Sequence, residues 1–389
     1  MFERIHPSVP VNFQLNRWLE LGGEQLLGDL RDAATRITGA AAYTHELLAL
    51  AHARADAGDA KGAGALLIGA EFFMAPADEQ RRVYREQGVA LLMDAFAIAP
   101  AQCEEVPFRG GALPCVRVEA AGEPRGRILI HGGFDSYTVE LLPWAMRVAQ
   151  RGYTAVVFEG HGQGAALEDH GLKMDERWDE CVAAVLDHHG LSDVALLGIS
   201  LGGGLAIHAA AREPRVTRVI CDDICADFQE VLLGLLPAEL APELQELLST
   251  GESAAIDELI AARAPADPQL AWALARGCHV FGVSNPSALL AACAALRTRE
   301  ASAHVAADVL LLCAAADHYI PRSQLAEQAA SLTSAASVST VTLTAADHAE
   351  QHCHLGALEL SIDVCLAWLA DVDARRALRA PVFPSAPPT

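Results

Sequence analysis

The stretch Gly198-Ile199-Ser200-Leu201-Gly202 constrains the fold of this chain more than any other part of the sequence. The apolar residues 193–197 before it predict a buried strand, and the alanine-rich residues 205–211 after it predict a helix. A serine between glycines at a sharp strand-to-helix turn is typical of a nucleophile elbow, which lifts the serine hydroxyl clear of the sheet. The five residues alone also fit an ordinary glycine-rich turn, but the strand and helix beside them favour the elbow.

The composition of the chain fits a large α/β protein and argues against two classes of partner. Its 389 residues, 52% of them hydrophobic, exceed what one minimal domain needs. The 50 acidic and 28 basic residues give a formal net charge of −22. We therefore expect the chain to bind neither nucleic acid nor an anionic membrane surface.

Cysteine usage and the start of the chain predict a cytoplasmic location. The ten cysteines are scattered, and several, such as Cys221 and Cys313, lie in apolar runs. We expect reduced core residues rather than disulfides or zinc ligands. Residues 1–7 show no apolar segment of a signal peptide, and no run of about 18 uncharged apolar residues predicts a membrane span.

The order of predicted elements divides the chain into four parts. Helical periodicity without strand signals predicts an N-terminal helical domain over residues 1–100. Strands alternate with helices over 101–223 and 306–375, which predicts a mostly parallel sheet covered on both faces. The proline-punctuated helical stretch 224–305 lies between two strands and is expected to form a lid over their C-terminal ends. The proline-rich end, 376–389, is expected to be disordered.

A serine nucleophile needs a base, and the base needs a carboxylate that orients it. In chains with a nucleophile elbow, the acid and then the histidine follow the serine. Asp317 comes directly after the predicted strand 308–313 and is therefore the candidate acid. A carboxylate at this place also fits an ordinary helix cap.

Two histidines after the last predicted strand, 338–343, compete for the role of base. His348 fits slightly better by its distance from the strand, and His352 follows four residues later. Two histidines at this spacing on a helix also fit a shared metal ion. However, Ala349 stands where a zinc protease has its glutamate, and no third ligand is evident, so we predict no metal.

The developing negative charge on a substrate oxygen needs two backbone N–H donors. One is the amide of Leu201, which follows the serine at the start of a helix. The second is expected from the loop after the predicted strand 127–131, where His131-Gly132-Gly133-Phe134 has the H-G-G form. Phe134 is the first candidate for this donor and Gly133 the second.

Four motifs together resemble one group of α/β-hydrolases. They are Gly132-Gly133-Phe134-Asp135-Ser136 with Glu140, residues 158–164 (F-E-G-H-G-Q-G), the elbow, and Glu350-Gln351-His352-Cys353. The group includes the fungal polyketide-shortening hydrolases of pigment biosynthesis and the bacterial 2,6-dihydroxypseudooxynicotine hydrolase. The likeness covers about residues 100–370, and the helical N-terminal region also resembles that of the group.

The resemblance implies an α/β-hydrolase fold with Ser200 as nucleophile, Asp317 as acid and His352 as base. It therefore favours His352 over His348, which remains a candidate accessory residue. Members that cleave carbon–carbon bonds are thought to use a further acid near the lid. The candidates for it, or for substrate binding, are Asp223, Asp227, Glu230 and Glu159, the last of which also fits a structural carboxylate that caps a loop.

These observations predict a serine hydrolase that cleaves a carbon–carbon bond next to a ketone in an aromatic or polyketide-like substrate, without a cofactor. An ester or thioester hydrolase, or an acyltransferase or cyclase on a natural-product intermediate, is the alternative among enzymes. A non-catalytic relative that binds a ligand or partner through its lid is the alternative of another class. We expect a small-molecule substrate and a homodimer formed through the N-terminal helices.

Overall fold

The computed structural model describes residues 1–379 and begins with a bundle of five helices. Polar caps fix two of their starts, because the Asp59 and Asp78 carboxylates accept backbone N–H groups of the first turn. The bundle has its own core, in which Trp18 Nε1 donates to the Tyr43 hydroxyl at 2.7 Å. The helices are α1 (Val9–Gly22), α2 (Leu27–Ala34), α3 (Ala40–Asp56), α4 (Ala60–Glu71) and α5 (Glu79–Ala95).

A sheet of eight strands forms the centre of the rest of the chain. The strands lie in the order β1-β2-β4-β3-β5-β6-β7-β8, with β1 and β2 antiparallel and the other six parallel. All residues of β4 and β7 are buried, as expected for strands covered on both faces. The strands are β1 (Cys103–Phe108), β2 (Gly111–Val118), β3 (Gly126–His131), β4 (Tyr153–Phe158), β5 (Val194–Ile199), β6 (Val216–Asp222), β7 (Asp308–Ala314) and β8 (Ser337–Leu343).

Helices connect the strands and cover the two faces of the sheet. The helix after β5 carries three glycines in its first turn, so its backbone packs directly against β6 and the segment that follows β6. Between β3 and β6 the helices are α6 (Thr138–Gln150), α7 (Gly164–Glu168), α8 (Trp178–His188) and α9 (Leu201–Ala210).

The chain between β6 and β7 is helical, and one of its helices is tied to both other parts of the molecule. Helix α13 reaches α7 through Arg276 and His279, which lie 2.7 and 3.0 Å from the Glu168 carboxylate. It reaches the N-terminal bundle through Trp272 Nε1, which donates to the carbonyl of Phe72 at 2.9 Å. The helices of this segment are α10 (Phe228–Leu233), α11 (Ala241–Thr250), α12 (Ser253–Ala261), α13 (Pro268–Phe281), α14 (Pro286–Ala295) and α15 (Arg299–Ser302).

The end of the chain differs from the sequence-based expectation. Helix α16 (Ser323–Ser331) was not predicted, and α17 (Leu358–Arg379) continues ten residues beyond the predicted end at 369. Asp373 accepts from Arg218 at 2.9 Å and Arg376 donates to Asp193 at 2.8 Å, so ion pairs rather than apolar contacts dock this extension on the sheet. Residues 376–379 of the predicted disordered tail are therefore helical, and residues 380–389 lie outside the described part.

Two further expectations concern membranes and cysteines. Within residues 1–379, no single helix is long and apolar enough to cross a membrane. One helix pair, Pro268–Phe281 with Pro286–Ser302, passes a test of length and composition when taken together, but it is bent by 62°. All ten cysteines are free thiols, and most of them are buried.

Candidate active site

Ser200 lies in a strained turn between β5 and α9, as the elbow motif predicts. Its backbone has φ 61° and ψ −126°, and its N–H donates to the carbonyl of Asp222 at 2.8 Å. A Cβ on Gly198 would lie 2.0 Å from the carbonyl oxygen of Gly202, and one on Gly202 would lie 2.5 Å from that of Gly132. The glycines are therefore required because backbone passes where a side chain would stand.

The structure brings Ser200, His352 and Asp317 into one hydrogen-bonded row. Ser200 Oγ lies 2.9 Å from His352 Nε2, and His352 Nδ1 lies 2.6 Å from Asp317 Oδ2. The other carboxylate oxygen of Asp317 accepts the N–H groups of Tyr319 and Ile320 at 2.7 and 3.0 Å, which fixes its orientation. This arrangement gives a hydroxyl, a base and an orienting acid in the order needed for nucleophilic catalysis.

Charge and burial act in opposite directions on the histidine. Burial lowers the pKa of His352, but the Asp317 carboxylate outweighs burial and holds the pKa of the imidazole well above its usual value. Conversely, burial raises the pKa of Asp317, and the imidazole outweighs it and lowers the pKa of this carboxyl. The pair therefore stabilises an imidazolium, the form that the histidine takes after it accepts a proton from Ser200.

Both predicted oxyanion donors lie beside the serine. Leu201 is the first residue of α9, so its N–H has no acceptor within the helix. The segment with Gly133 and Phe134 lines the same cavity as Ser200, and a Cβ on Gly133 would lie 2.9 Å from the nitrogen of Leu201. Gln163 holds this segment, since its Nε2 donates to the carbonyls of Gly132 and Gly133 at 2.6 and 2.7 Å.

A cavity of about 510 Å³ opens above Ser200 and His352. Its wall is mainly apolar near the lid segment, where Phe228 and Trp272 are prominent, while Lys61 and Glu359 lie among its charged lining residues. A narrow set of polar groups within an apolar cavity of this size is typical of a small-molecule site.

The N-terminal helix α1 forms part of the cavity wall, which the sequence analysis did not predict. The side chains of α1 that line it are Phe13, Gln14, Arg17, Glu20 and Leu21. Arg17 also reaches the loop after β3, with nitrogen atoms 3.1 Å from the Asp135 carboxylate and 2.6 Å from the Glu140 carboxylate. The one signal for this in the sequence is a charged residue inside an otherwise apolar helical stretch, at Arg17-Trp18-Leu19.

The structure places four predicted accessory residues away from the cavity wall. His348 is exposed on the loop after β8, so its predicted accessory role and its predicted metal sharing with His352 are wrong. Asp227 caps α10 and pairs with Arg297 at 2.8 Å, and Glu230 is exposed. Glu159 is buried and accepts the N–H groups of Thr138 and Ala165 at 2.7 and 2.6 Å, as a structural carboxylate does.

Asp223 also lies outside the cavity lining, but it remains close to the reacting groups. Its carboxylate is buried behind His352, with Oδ2 3.8 Å from His352 Nδ1. It accepts the N–H of Cys353 at 2.9 Å. The prediction that Asp223 faces the substrate is therefore wrong, because β6 ends with this residue turned toward the histidine loop.

Three side-chain groups within residues 1–379 have ligand atoms close enough to share a metal ion. One is at the surface, and the other two are buried and share Asp223 with the histidine loop. The groups are Glu104 with His188 and His189, Asp223 with His352 and Cys353, and Asp222 with Asp223 and His354. In the third group His354 lies within ion-pair distance of both carboxylates, so the buried charges are matched without a metal.

Comparisons with known proteins agree with this fold. A family model described as "Alpha/beta hydrolase family" matches residues 128–357, more than half of the chain. Hydrolase acrC of Aspergillus aculeatus is 32% identical over 175 residues, which are 42% of this chain and 40% of that protein. The 20-hydroxy-prefusarin hydrolase FUS2 of Gibberella moniliformis is also 32% identical over 175 residues, or 42% and 41% of the two chains. The chain thus spans less than half of the length of these fungal relatives.

A solved structure extends the likeness to nearly the whole chain. The crystal structure of a 2,6-dihydroxy-pseudo-oxynicotine hydrolase superposes with a TM-score of 0.62. The match covers 92% of this chain and 95% of that chain, at 22% sequence identity. At this identity the superposition shows a shared fold, and the fold includes the N-terminal helices as well as the sheet.

Proposed function

The chain belongs to the alpha/beta hydrolase family, and from that membership we propose that it is a serine hydrolase that cleaves a carbon–carbon bond next to a ketone. Its proposed substrates are aromatic or polyketide-like molecules. The observation that carries the proposal is the row from Ser200 through His352 to Asp317, with distances of 2.9 and 2.6 Å, at the wall of a cavity of about 510 Å³.

The first step forms an acyl-enzyme. His352 Nε2 takes the hydroxyl proton of Ser200 as Oγ attacks the ketone carbon, and Asp317 stabilises the imidazolium that results. The carbonyl oxygen becomes an oxyanion, which the N–H groups of Leu201 and of Phe134 or Gly133 stabilise.

The second step breaks the carbon–carbon bond. The electron pair of that bond leaves with the carbon next to the former ketone, so it must be delocalised into a neighbouring carbonyl or a phenolic ring. The imidazolium of His352 then returns its proton to this carbon, and a shortened ketone or arene leaves the cavity. Water, deprotonated by His352, finally attacks the acyl-enzyme and releases a carboxylic acid and free Ser200.

Three features support carbon–carbon cleavage as the specific reaction. The motifs at residues 132–136 and 350–353 resemble those of hydrolases with this chemistry. The related proteins carry the names 20-hydroxy-prefusarin hydrolase and 2,6-dihydroxy-pseudo-oxynicotine hydrolase, which are large, multiply oxygenated substrates. The aromatic side chains of Phe13, Phe134 and Trp272 in the cavity wall suit a flat, conjugated substrate.

Mass-spectrometric product analysis with two substrate types tests the proposal. One substrate is an aryl β-diketone and the other a simple aryl ester, each incubated with the wild type and with Ser200→Ala. Ser249→Ala, which changes an exposed serine on α11, is the matched control.

We expect the diketone to give a carboxylic acid and a shortened ketone with the wild type and the control, and neither product with Ser200→Ala. Cleavage of the ester alone would favour the esterase or acyltransferase alternative. Failure of a serine-directed phosphonate to label Ser200 would favour a non-catalytic relative.

A further inference from the structure

The end of β6 touches both partners of the proposed nucleophile–base pair. The carbonyl of Asp222 accepts the N–H of Ser200 at 2.8 Å. The carboxylate of the next residue, Asp223, accepts the N–H of Cys353 at 2.9 Å, directly after His352. Two consecutive residues thus hold the backbone of the serine elbow and the backbone of the histidine turn.

His354 adds a buried charge to this junction. Its Nδ1 lies 2.8 Å from the carbonyl of Ala349, and because a carbonyl only accepts, Nδ1 carries a proton. Its Nε2 lies 2.9 Å from Asp222 Oδ1 and 3.2 Å from Asp223 Oδ1, and carboxylates also accept. Both ring nitrogens must therefore be protonated, and His354 is an imidazolium with no exposed side-chain surface.

The turn that carries the base is one that needs to be held. Cys353 and His354 have φ of 52° and 55°, a left-handed conformation that residues with a Cβ adopt only at a cost of about 1–3 kcal/mol each. The N–H bond from Cys353 to Asp223 and the ion pairs of His354 are the contacts that stabilise this conformation.

We propose that Asp223 and His354 form a buried ionic anchor that positions His352 against Ser200. Neither side chain lines the cavity, so both act through the geometry of His352 and are positioning residues. The inference rests on the proposed function, because it assigns a purpose to the geometry of a reacting pair. A loss of alignment of about 1 Å at a reacting pair costs on the order of a hundredfold in rate.

The test measures how fast a serine-directed fluorophosphonate labels Ser200 in the full-length protein. The variants are Asp223→Asn and His354→Gln, which keep the side-chain volume and remove the charge. Asp373→Asn is the matched control, since it removes a carboxylate from an ion pair with Arg218 on α17, far from the cavity lining. Saturation kinetics separate the maximal labelling rate from the concentration for half-saturation.

We expect the maximal rate to fall by about tenfold to a hundredfold in Asp223→Asn and in His354→Gln, with the half-saturation concentration unchanged. The double variant is expected to be no slower than the slower single variant, because the two residues act as one unit. The downfield proton resonance of His352 Nδ1–H should shift in both variants and stay in place in Asp373→Asn.

The outcomes separate this inference from the proposed function. A wild type that is labelled, with both variants labelled within twofold of it, overturns the anchor and leaves the serine hydrolase proposal intact. A wild type that is not labelled overturns both. If neither variant folds, the ¹⁵N resonances of the wild-type histidines decide: an imidazolium that persists above pH 8 supports the anchor, and its absence overturns it.

Discussion

The ring of Phe13 packs against the imidazole of His352, with ring centroids 5.8 Å apart and planes tilted by 52°. Phe13 lies on α1, in the part of the chain for which the sequence predicts only packing or dimerisation. The N-terminal bundle therefore closes one wall of the candidate active site and restricts how the imidazole can move. Whether the same bundle also forms a homodimer stays a prediction.

Replacement of this ring should weaken substrate binding more than it weakens the chemical step. We expect Phe13→Ala to raise the half-saturation concentration for an aryl substrate and to lower the free energy of unfolding by about 3–5 kcal/mol, since the ring is 6% exposed. Val9→Ala on the same helix changes an exposed side chain and is the control. An unchanged half-saturation concentration would contradict a role of α1 in the cavity.

The choice between the two histidines is tested directly by substitution. His352→Ala removes the group 2.9 Å from Ser200 Oγ, so we expect the labelling or turnover rate to fall by about 10⁴-fold or more. His348→Ala changes an exposed side chain and should retain nearly the full rate. The reverse result would mean that the histidine loop rearranges when substrate binds.

The acid limb of the pH–rate profile tests Asp317. Only neutral His352 can accept the Ser200 proton, so the rate rises with pH through the pKa of His352. Burial lowers that pKa and the Asp317 carboxylate raises it by more. We therefore expect Asp317→Asn to lower the rate by about 10⁴-fold and to move the acid limb to lower pH. An unmoved acid limb would show that another group controls the profile.

The core of the site was predictable because it follows strand ends. Ser200 comes directly after β5, and Asp317 comes shortly after β7, so parallel pairing alone brings them to one edge of the sheet. The path from β8 to His352 depends instead on a tertiary contact, in which Ala316 N donates to the carbonyl of Glu350 at 2.7 Å. Spacing does not reveal such a contact, so the histidine was left open until the family resemblance favoured His352.

The accessory acids were mispredicted for a local reason. Asp227 and Glu230 have the spacing of a helix start, and in the structure the Asp227 carboxylate accepts the N–H of Glu230 at 3.1 Å. That cap directs the apolar face of α10, with Phe228 and Val231, into the cavity. Greater weight on capping, and less on nearness to the lid, would have corrected the prediction.

Gln163 is expected to matter for the oxyanion loop although it touches no reacting atom. Gln163→Leu leaves the carbonyls of Gly132 and Gly133 without their donor and frees the loop that carries Phe134. We expect the labelling rate to fall by up to about 10²-fold to 10³-fold. Gln328→Leu, a buried glutamine bonded to Ser302, is the matched control and should lower only stability. Equal rates in the two variants would contradict the prediction.

The charge on His354 should appear in the pH dependence of stability. Burial lowers the pKa of His354, but the carboxylates of Asp222 and Asp223 outweigh it and raise the pKa from 6.5 to about 12. The stabilisation is therefore complete below the unfolded-state pKa and is lost as pH rises through the folded-state pKa. Between these values the folded state keeps a proton that the unfolded chain releases.

The comparison that isolates this effect is between the wild type and His354→Gln. We expect the difference in their free energies of unfolding to shrink as pH rises from 7 to 10, by up to about 1.4 kcal/mol per pH unit. Urea unfolding at several pH values measures this difference, and groups that titrate in both proteins cancel from it. A difference that is constant with pH would mean that His354 is neutral, and the two carboxylates would then face an imidazole with no proton to donate to them.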